Sequence, residues 1–157
     1  MPFQSVECYI GKMKERMKRV MIMGASSGIG YAVAEALASR GVKVALAARN
    51  IAPLQQLREK YPDCVEYAEI DINRPEAVDR MRELAERAGG MDIYFHVAGI
   101  GYDNPGLDPE REAAIVNTNS TAFARMVSAA YKWMRDNGVR GQIAAVTSVA
   151  GTKGIGE

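Results

Sequence analysis

Short apolar runs alternate with stretches of helical periodicity along most of the chain. Five apolar runs predict strands at Arg19–Met23, Val42–Ala48, Val65–Ile70, Asp92–Val97 and Gln142–Thr147. The stretches between them predict helices at about Ile29–Arg40, from Asn50 through Lys60, from Asn73 to Gly89, and from Glu110 to Asn137. The second strand is apolar almost throughout, which is typical of a strand covered on both faces. We therefore expect a parallel sheet with helices on both sides.

Glycines and the helical period define these helices further. Gly41, Gly138 and the pair Gly89–Gly90 follow the last periodic residues and predict helix ends. The expected inward faces are Ile29, Val33, Ala36 and Leu37 in the first helix and Val78, Met81, Leu84 and Ala88 in the third, whose first turn contains Pro75. Right-handed crossovers then give an α/β fold, a Rossmann-like doubly wound parallel sheet of five strands.

Residues 1–16 do not follow this pattern. They show no clear period and carry a cluster of charged residues, Lys12, Lys14, Glu15 and Arg16. We interpret them as an appendage, with Met17 as the natural start. A short capping helix is the alternative.

Composition narrows the choice of partners. The 157 residues carry a formal net charge of +1, with 25% charged residues, so we expect no nucleic-acid partner. No apolar run approaches the ~18 residues of a membrane span, and residues 1–16 lack the apolar core of a signal peptide. Cys8 and Cys64 fit no metal-binding spacing. The sequence thus predicts no metal, no membrane association and a location in the reducing cytoplasm.

The first candidate site lies where the first strand ends. Met23–Gly30 reads Met-Gly-Ala-Ser-Ser-Gly-Ile-Gly and leads directly into the first helix. Glycine permits positive φ and close approach of a ligand, and the N–H groups of a helix N-terminus attract phosphate. We therefore predict a cofactor diphosphate site formed by Gly24, Ser26, Ser27, Gly28, Ile29 and Gly30. Alternatively, the glycines serve turn geometry and packing alone, and the serines only cap the helix.

A basic residue follows the second strand, where NAD-specific folds of this class place an acid. The sequence Ala48-Arg49-Asn50 supplies no carboxylate, and a guanidinium there can bind a 2′-phosphate through paired hydrogen bonds. Arg49, with Asn50 beside it, thus predicts NADP(H) in preference to NAD(H). A solvated surface arginine is the alternative interpretation.

Motifs in order along the chain resemble those of the short-chain dehydrogenase/reductase family. They are the glycine motif, Asp71-Ile72, His96-Val97-Ala98-Gly99 in place of an Asn-Asn-Ala-Gly motif, Asn119, and Ser148 within residues 147–151. The roles that the resemblance implies are adenine-side contacts for Asp71 and Ile72, cofactor contacts through the backbone for Ala98 and Gly99, and catalysis for Asn119 and Ser148. In that family the serine hydroxyl holds the substrate oxygen, and the helix asparagine positions a water.

Several of these residues also have an interpretation without chemistry. Asp71 can be a turn or capping acid before the next helix. His96, the only histidine, is more typical of a hydrogen-bonded core residue than of a catalyst. Asn117 competes with Asn119 for the asparagine role, and Ser148 can be one small residue of a tight turn.

The resemblance is incomplete at three places. Met23 replaces a threonine whose hydroxyl often ties the glycine turn to the segment after the fourth strand. His96 and Val97 replace two asparagines. The family's Tyr-x-x-x-Lys pair would fall past Glu157, since Lys153 is too near Ser148 to substitute. We therefore expect a C-terminally truncated form, with its last strand at an exposed sheet edge.

The expected function is hydride transfer between NADP(H) and a small-molecule carbonyl or alcohol, carried out by a homo-oligomer. Residues 17–157 form the predicted dinucleotide-binding domain. Without the tyrosine and the lysine, we expect the 157-residue chain to be inactive by itself. The alternative is a catalytically silent nucleotide-binding or interaction module.

Overall fold

A computed structural model describes residues 19–148 as one sheet flanked by helices. The strands are β1 (Arg19–Met23), β2 (Lys43–Ala48), β3 (Val65–Glu69), β4 (Ile93–His96) and β5 (Gln142–Ala145). The helices are α1 (Gly28–Ala38), α2 (Ala52–Lys60), α3 (Ala77–Arg87), α4 (Pro109–Val116) and α5 (Phe123–Asp136), with a π-helical turn at Asn117–Ala122 between the last two. The proposed appendage at residues 1–16 and the proposed start at Met17 lie outside the described residues.

The five strands are all parallel, in the order β3-β2-β1-β4-β5, which confirms the predicted Rossmann-like, doubly wound sheet. The chain proceeds from β1 outward to β2 and β3, then crosses to the other side of β1 to form β4. The loops after β1 and β4 therefore leave in opposite directions. In folds of this class the ligand binds in the crevice at that point.

The central strands are the most buried, as their apolar sequences predict. Every residue of β1 after Arg19 and every residue of β2 after Lys43 is buried. One face of the sheet packs against α3 and α5, and the other packs against α1 and α2. β5 lies at one edge of the described sheet and is only partly buried.

The fourth strand is shorter than its apolar run predicts, ending at His96 and not at Val97. The amides of Val97 and Ala98 both donate to the carbonyl of Met23, each at 2.8 Å. Two consecutive amides on one acceptor cannot continue a parallel ladder. The chain therefore leaves the sheet here and enters the loop at its carboxyl edge.

α1 buries only part of the predicted face. Val33 and Leu37 pack against the core as predicted, but Ile29 and Ala36 are exposed. The buried positions of the helix are Gly30, Ala34 and Ala38. A Cβ on Gly30 would lie 2.1 Å from a backbone oxygen of the glycine turn. The helix approaches the turn so closely that no side chain fits at Gly30, and hydrophobicity alone does not identify such a position.

α3 follows the prediction except at its start. Met81 and Leu84 are fully buried, and Val78 and Ala88 pack at the margin of the same core. The helix begins at Ala77, so Pro75 precedes it and does not lie in its first turn.

The single helix predicted from Glu110 to Asn137 is interrupted. α4 ends at Val116, and the π-helical turn separates it from α5. Three polar side chains of the turn, those of Asn117, Thr118 and Asn119, hydrogen-bond to loops outside the helix. Such turns are rare and often occur at functional sites.

Two further observations concern membranes and metals. Among residues 19–148, no helix has both the length and the hydropathy that crossing a membrane requires. Within the same range, no group of three or more His, Cys, Asp or Glu side chains is arranged to hold a metal ion. Cys64 is a free, partly buried thiol, and Cys8 lies outside the described residues.

Candidate functional site

A cleft of about 420 Å³ opens at the carboxyl edge of the sheet, where the segments after all five strands meet. This volume is typical of small-molecule sites. The predicted cofactor-binding residues that line it are Gly24, Ser26, Ser27, Ile29, Arg49, Asn50, Asp71, Ile72, Ala98 and Gly99. Gly28 and Gly30 belong to the same turn but do not line the cleft. The structure thus brings the predicted residues together, and their binding role remains a prediction.

Packing accounts for two of the three motif glycines. Gly24 has φ +98°, and a Cβ there would lie 2.5 Å from the backbone nitrogen of Ala98. Gly30 packs with no room for a side chain against the carbonyl of Gly24. Gly28 has φ +52° with open space around it, so its requirement is conformational. The packing interpretation therefore holds for Gly24 and Gly30 whatever the cleft binds.

Backbone bonds tie the glycine turn to the segment after β4. The Met23 carbonyl accepts from the amides of both Val97 and Ala98. On the other side, the Gly24 amide donates to the Ala47 carbonyl of β2 at 2.8 Å. The hydroxyl lost with Met23 and the two asparagines replaced at His96 and Val97 are therefore not needed for this connection.

The N-terminus of α1 faces the cleft without a side-chain cap. Ser27 is the N-cap residue, with φ −160° and ψ 173°, but its hydroxyl makes no capping hydrogen bond. The alternative that the serine caps the helix is not realised. The first-turn N–H groups keep hydrogen-bonding capacity, and the positive end of the helix dipole favours an anion here.

Arg49 and Asn50 follow β2 on the rim of the cleft. Arg49 is exposed, and its side chain forms no hydrogen bond or ion pair within residues 19–148. Asn50 accepts a hydrogen bond from the amide of Ala52 at 3.2 Å, so it supports the start of α2 although the formal N-cap is Ile51. Asn50 thus makes the capping hydrogen bond that the sequence predicts, although it stands one residue before the N-cap position.

Asp71 is a turn acid at the edge of the cleft, and its adenine-side contact remains a prediction. Its carboxylate accepts from the amide of Asn73 at 3.0 Å, which makes it a turn acid, and it also lines the cleft. Arg74 approaches the second carboxylate oxygen at 3.9 Å. Ile72 is buried beside it.

Asn119 bridges to the loop after β4. Its Oδ1 accepts from the amide of Ile100 at 2.9 Å, and its Nδ2 donates to the carbonyl of Ile100 at 2.7 Å. Its competitor Asn117 points elsewhere and donates to Asn73 at 2.9 Å. The two asparagines therefore have different partners, and the choice of Asn119 for the catalytic role remains a prediction.

His96 is a core residue. It is 2% exposed, its Nδ1 lies 2.9 Å from the phenolic oxygen of Tyr94, and its ring packs edge-on against Phe123. Burial lowers the pKa of His96 and raises the pKa of the Tyr94 phenol. This neutral, packed pair supports the structural interpretation of His96 given above.

Ser148 is exposed on the segment after β5, two residues beyond Val146 in the cleft wall. Val149, Ala150 and Gly151 of its motif lie outside the described residues, as does Lys153.

Sequence reasoning did not name eight of the residues that line the cleft as site residues. They are Met23, Ala48, Ile70, Asn73, Val97, Ile100, Thr118 and Val146. Asn73 and Thr118 are also hydrogen-bonded to each other at 3.0 Å, across 45 positions of sequence. Their only signal in the sequence is adjacency, since Asn73 follows Asp71-Ile72 and Thr118 precedes Asn119. Adjacency does not reveal which way a side chain points.

Comparison with known proteins gives a consistent family. The family model described as short chain dehydrogenase matches residues 18–157. An uncharacterized oxidoreductase of Myxococcus xanthus is 36% identical over 144 residues, and a 3-oxoacyl-(acyl-carrier-protein) reductase of Vibrio cholerae is 33% identical over 140 residues. These matches cover 88% and 87% of this chain but 56% and 57% of the relatives. The chain thus spans little more than half the length of these relatives.

Solved structures agree in fold. An alcohol dehydrogenase from Thermococcus sibiricus, complexed with 5-hydroxy-NADP, has a TM-score of 0.77 at 30% identity, with 88% of this chain and 61% of that chain covered. A 3-ketoacyl-(acyl-carrier-protein) reductase from Brucella melitensis, complexed with NADH, has a TM-score of 0.76 at 28% identity, with 85% and 57% covered.

Proposed function

This chain belongs to the short-chain dehydrogenase family, and on that premise we propose that it is an NADP(H)-dependent oxidoreductase of carbonyl or alcohol substrates. The observation that carries the cofactor preference is Arg49. Within residues 19–148 its guanidinium is unpaired, it lines the cleft directly after β2, and Ala48 and Asn50 beside it place no carboxylate there. A 2′-phosphate would find an available charged partner at this position.

The cleft suits a dinucleotide on its own chemistry. The uncapped first turn of α1 offers N–H groups to a diphosphate at one point of the cleft. Asp71 and Ile72 also line the cleft, and we place the adenine end beside them. Gly24 and Gly99 carry no side chain that would keep a ligand away from the backbone.

The similar proteins do not decide between the two cofactors, because one solved neighbour is complexed with an NADP derivative and another with NADH. The preference proposed here depends on Arg49 itself. The names of the relatives, an alcohol dehydrogenase and oxoacyl reductases, support a carbonyl or alcohol as the substrate class without identifying the substrate.

When bound, the nicotinamide would exchange a hydride with the substrate carbon, and the residues of this chain would position the reactants. We assign the hold on the substrate oxygen to Ser148 and the geometry of the loop after β4 to Asn119. A phenol titrates near pH 10 and needs a neighbouring cation to act as a base near neutral pH. Residues 148–157 contain no tyrosine, so we propose that the 157-residue chain binds cofactor but does not turn over substrate.

The test is a fluorescence titration of NADPH and of NADH against the wild type and Arg49→Ala. A hydrogen bond to a charged group contributes about 1.5–3 kcal/mol, so NADPH should bind roughly tenfold to a hundredfold more tightly than NADH. Arg49→Ala should remove most of that difference and leave the NADH affinity unchanged. Arg82→Ala, which removes an exposed arginine paired with Asp79 on α3, is the matched control.

Equal affinities for the two cofactors in the wild type would reject the NADP assignment. Cofactor binding without turnover, in a polypeptide that includes a Tyr-x-x-x-Lys pair after Ser148, would favour the alternative of a silent nucleotide-binding module.

The proposal also includes a homo-oligomeric assembly and a cytoplasmic location. Two features support an assembly: β5 lies at an edge of the described sheet, and Tyr131 on α5 is 60% exposed. A second copy of the chain would cover such surfaces. Sedimentation of the purified protein tests the assembly.

A further inference from the structure

The loop Asp71–Arg74 lines the cleft and is held by side chains of the π-helical turn at Asn117–Ala122. The Asn73 side chain donates through Nδ2 to Thr118 Oγ1 at 3.0 Å and accepts at Oδ1 from Asn117 Nδ2 at 2.9 Å. Thr118 is 6% exposed, and both Asn73 and Thr118 line the cleft. A buried polar side chain of this kind is tolerated because its hydrogen bond is made.

A second contact, from α5, holds the same loop. Arg125 of α5 donates through Nη2 to the carbonyl of Ile72 and to that of Arg74, the latter at 3.0 Å. The two carbonyls flank Asn73, so the loop is bound at its side chain and at its backbone on both sides. Its conformation depends on residues that lie more than 40 positions away in the sequence.

The π-helical turn contacts two loops of the cleft, the loop after β3 and the loop after β4. Thr118 bonds to the loop after β3, while its neighbour Asn119 bonds to Ile100 in the loop after β4. The turn therefore connects two loops that both line the cleft. Hydrogen-bonded side chains of this kind fix geometry more sharply than apolar packing does.

We propose that Thr118 and Arg125 are positioning residues that set the adenine-side wall of the cleft. They act through Asn73 and Ile72 and place Asp71 and Ile72 against the adenosine of the cofactor. This inference rests on the proposed function, because it requires a dinucleotide in the cleft.

The experiment measures the affinity of the 157-residue chain for ADP and for NADPH by calorimetry, below the onset of thermal unfolding of each variant. Thr118→Val removes the hydroxyl at constant shape, and Thr118→Ser keeps it. Loss of one or two neutral hydrogen bonds should weaken both ligands by about three- to tenfold in Thr118→Val. Because only the adenine end is affected, the two losses should be equal. Thr118→Ser should restore the wild-type affinity.

Two further variants test the same wall independently. Arg125→Met keeps the length of the side chain but removes its donors, and Asn117→Ala removes an exposed donor to Asn73. Both variants should lower the affinity for ADP and the affinity for NADPH by a similar factor. Arg82→Met, on the outer face of α3, should change neither affinity.

The outcomes separate this inference from the function on which it rests. If the wild type binds neither ADP nor NADPH, the proposed function fails. If the wild type binds both, but Thr118→Val and Arg125→Met bind as tightly as it does, the positioning role is wrong. If Thr118→Val does not fold, Arg125→Met and Asn117→Ala decide the question by the same measure.

Discussion

Both ends of the Asn119 side-chain amide are bound to a single residue, Ile100, whose amide donates at 2.9 Å and whose carbonyl accepts at 2.7 Å. The carbonyl-side oxygen of Asn119 also lies over Gly99, 3.2 Å from where a Cβ on that glycine would be. The loop that begins at Ala98 therefore owes its conformation to a helix residue.

Asn119→Ala should destabilise the fold by about 1–3 kcal/mol, because two hydrogen bonds are lost and two backbone groups of Ile100 lose their partners. NADPH binding should weaken as well, since Ala98, Gly99 and Ile100 line the cleft. Urea unfolding and a cofactor titration measure the two effects. Asn137→Ala, which removes a single bond to the Trp133 carbonyl at the end of α5, is the control and should cost less. If both substitutions lower the free energy of unfolding equally, the Asn119–Ile100 bridge contributes no more than the single bond of Asn137.

The sequence predicts local features of this molecule well and long-range side-chain contacts poorly. The strands and the glycine turn follow from short patterns of apolar residues and glycines, which are local, and Asn119 follows from the resemblance to the family motifs. The bonds from Thr118 and Arg125 to the loop after β3 join residues 45 and 51–53 positions apart, and no local pattern encodes them. The prediction for α1 was wrong at Ile29 and Ala36 and missed Gly30 for a related reason, since the close approach at Gly30 is a property of the packed helix and turn.

Gly30→Ala should be far more destabilising than alanine at a solvent-exposed glycine. The new Cβ would lie 2.1 Å from the carbonyl oxygen of Gly24, so α1 or the turn must move. Such overpacking typically costs about 1–3 kcal/mol, seen as a lower urea midpoint. Gly106 has open space around it and needs no positive φ, so Gly106→Ala should change stability by less than about 1 kcal/mol. Similar midpoints for the two variants would contradict the close contact.

His96 should make the fold sensitive to mild acid. Burial lowers its pKa in the folded state, so between the ordinary value of about 6.5 and that lower pKa the unfolded chain binds a proton that the folded chain does not. Stability is therefore full above about pH 6.5 and falls as pH drops below it, by at most about 1.4 kcal/mol per pH unit from this group. The measurement is the urea midpoint between pH 7.5 and 5.5.

The comparison variant for this prediction is His96→Asn, which introduces the residue that the resembled family motif has at this position. Since His96 is the only histidine of the chain, the variant should lose the part of the pH dependence that begins near pH 6.5. If the wild type and His96→Asn show the same pH dependence of stability, that dependence comes from carboxylates and the prediction for His96 is wrong.

The last prediction concerns turnover. The 157-residue chain should bind NADPH without oxidising it in the presence of carbonyls, whereas a polypeptide extended after residue 157 by a segment with a Tyr-x-x-x-Lys pair should do both. A general acid–base group contributes typically 10²- to 10⁴-fold, and positioning of the substrate adds to that loss. The assay follows NADPH absorbance with a panel of ketones and 3-oxoacyl thioesters, on preparations whose intact masses have been verified. In the extended protein, Ser148→Ala should abolish most of the turnover and leave the NADPH affinity unchanged, which separates substrate chemistry from cofactor binding. Turnover by the 157-residue chain itself would show that other residues carry the proton transfer, and the roles assigned to Ser148 and Asn119 would have to be revised with it.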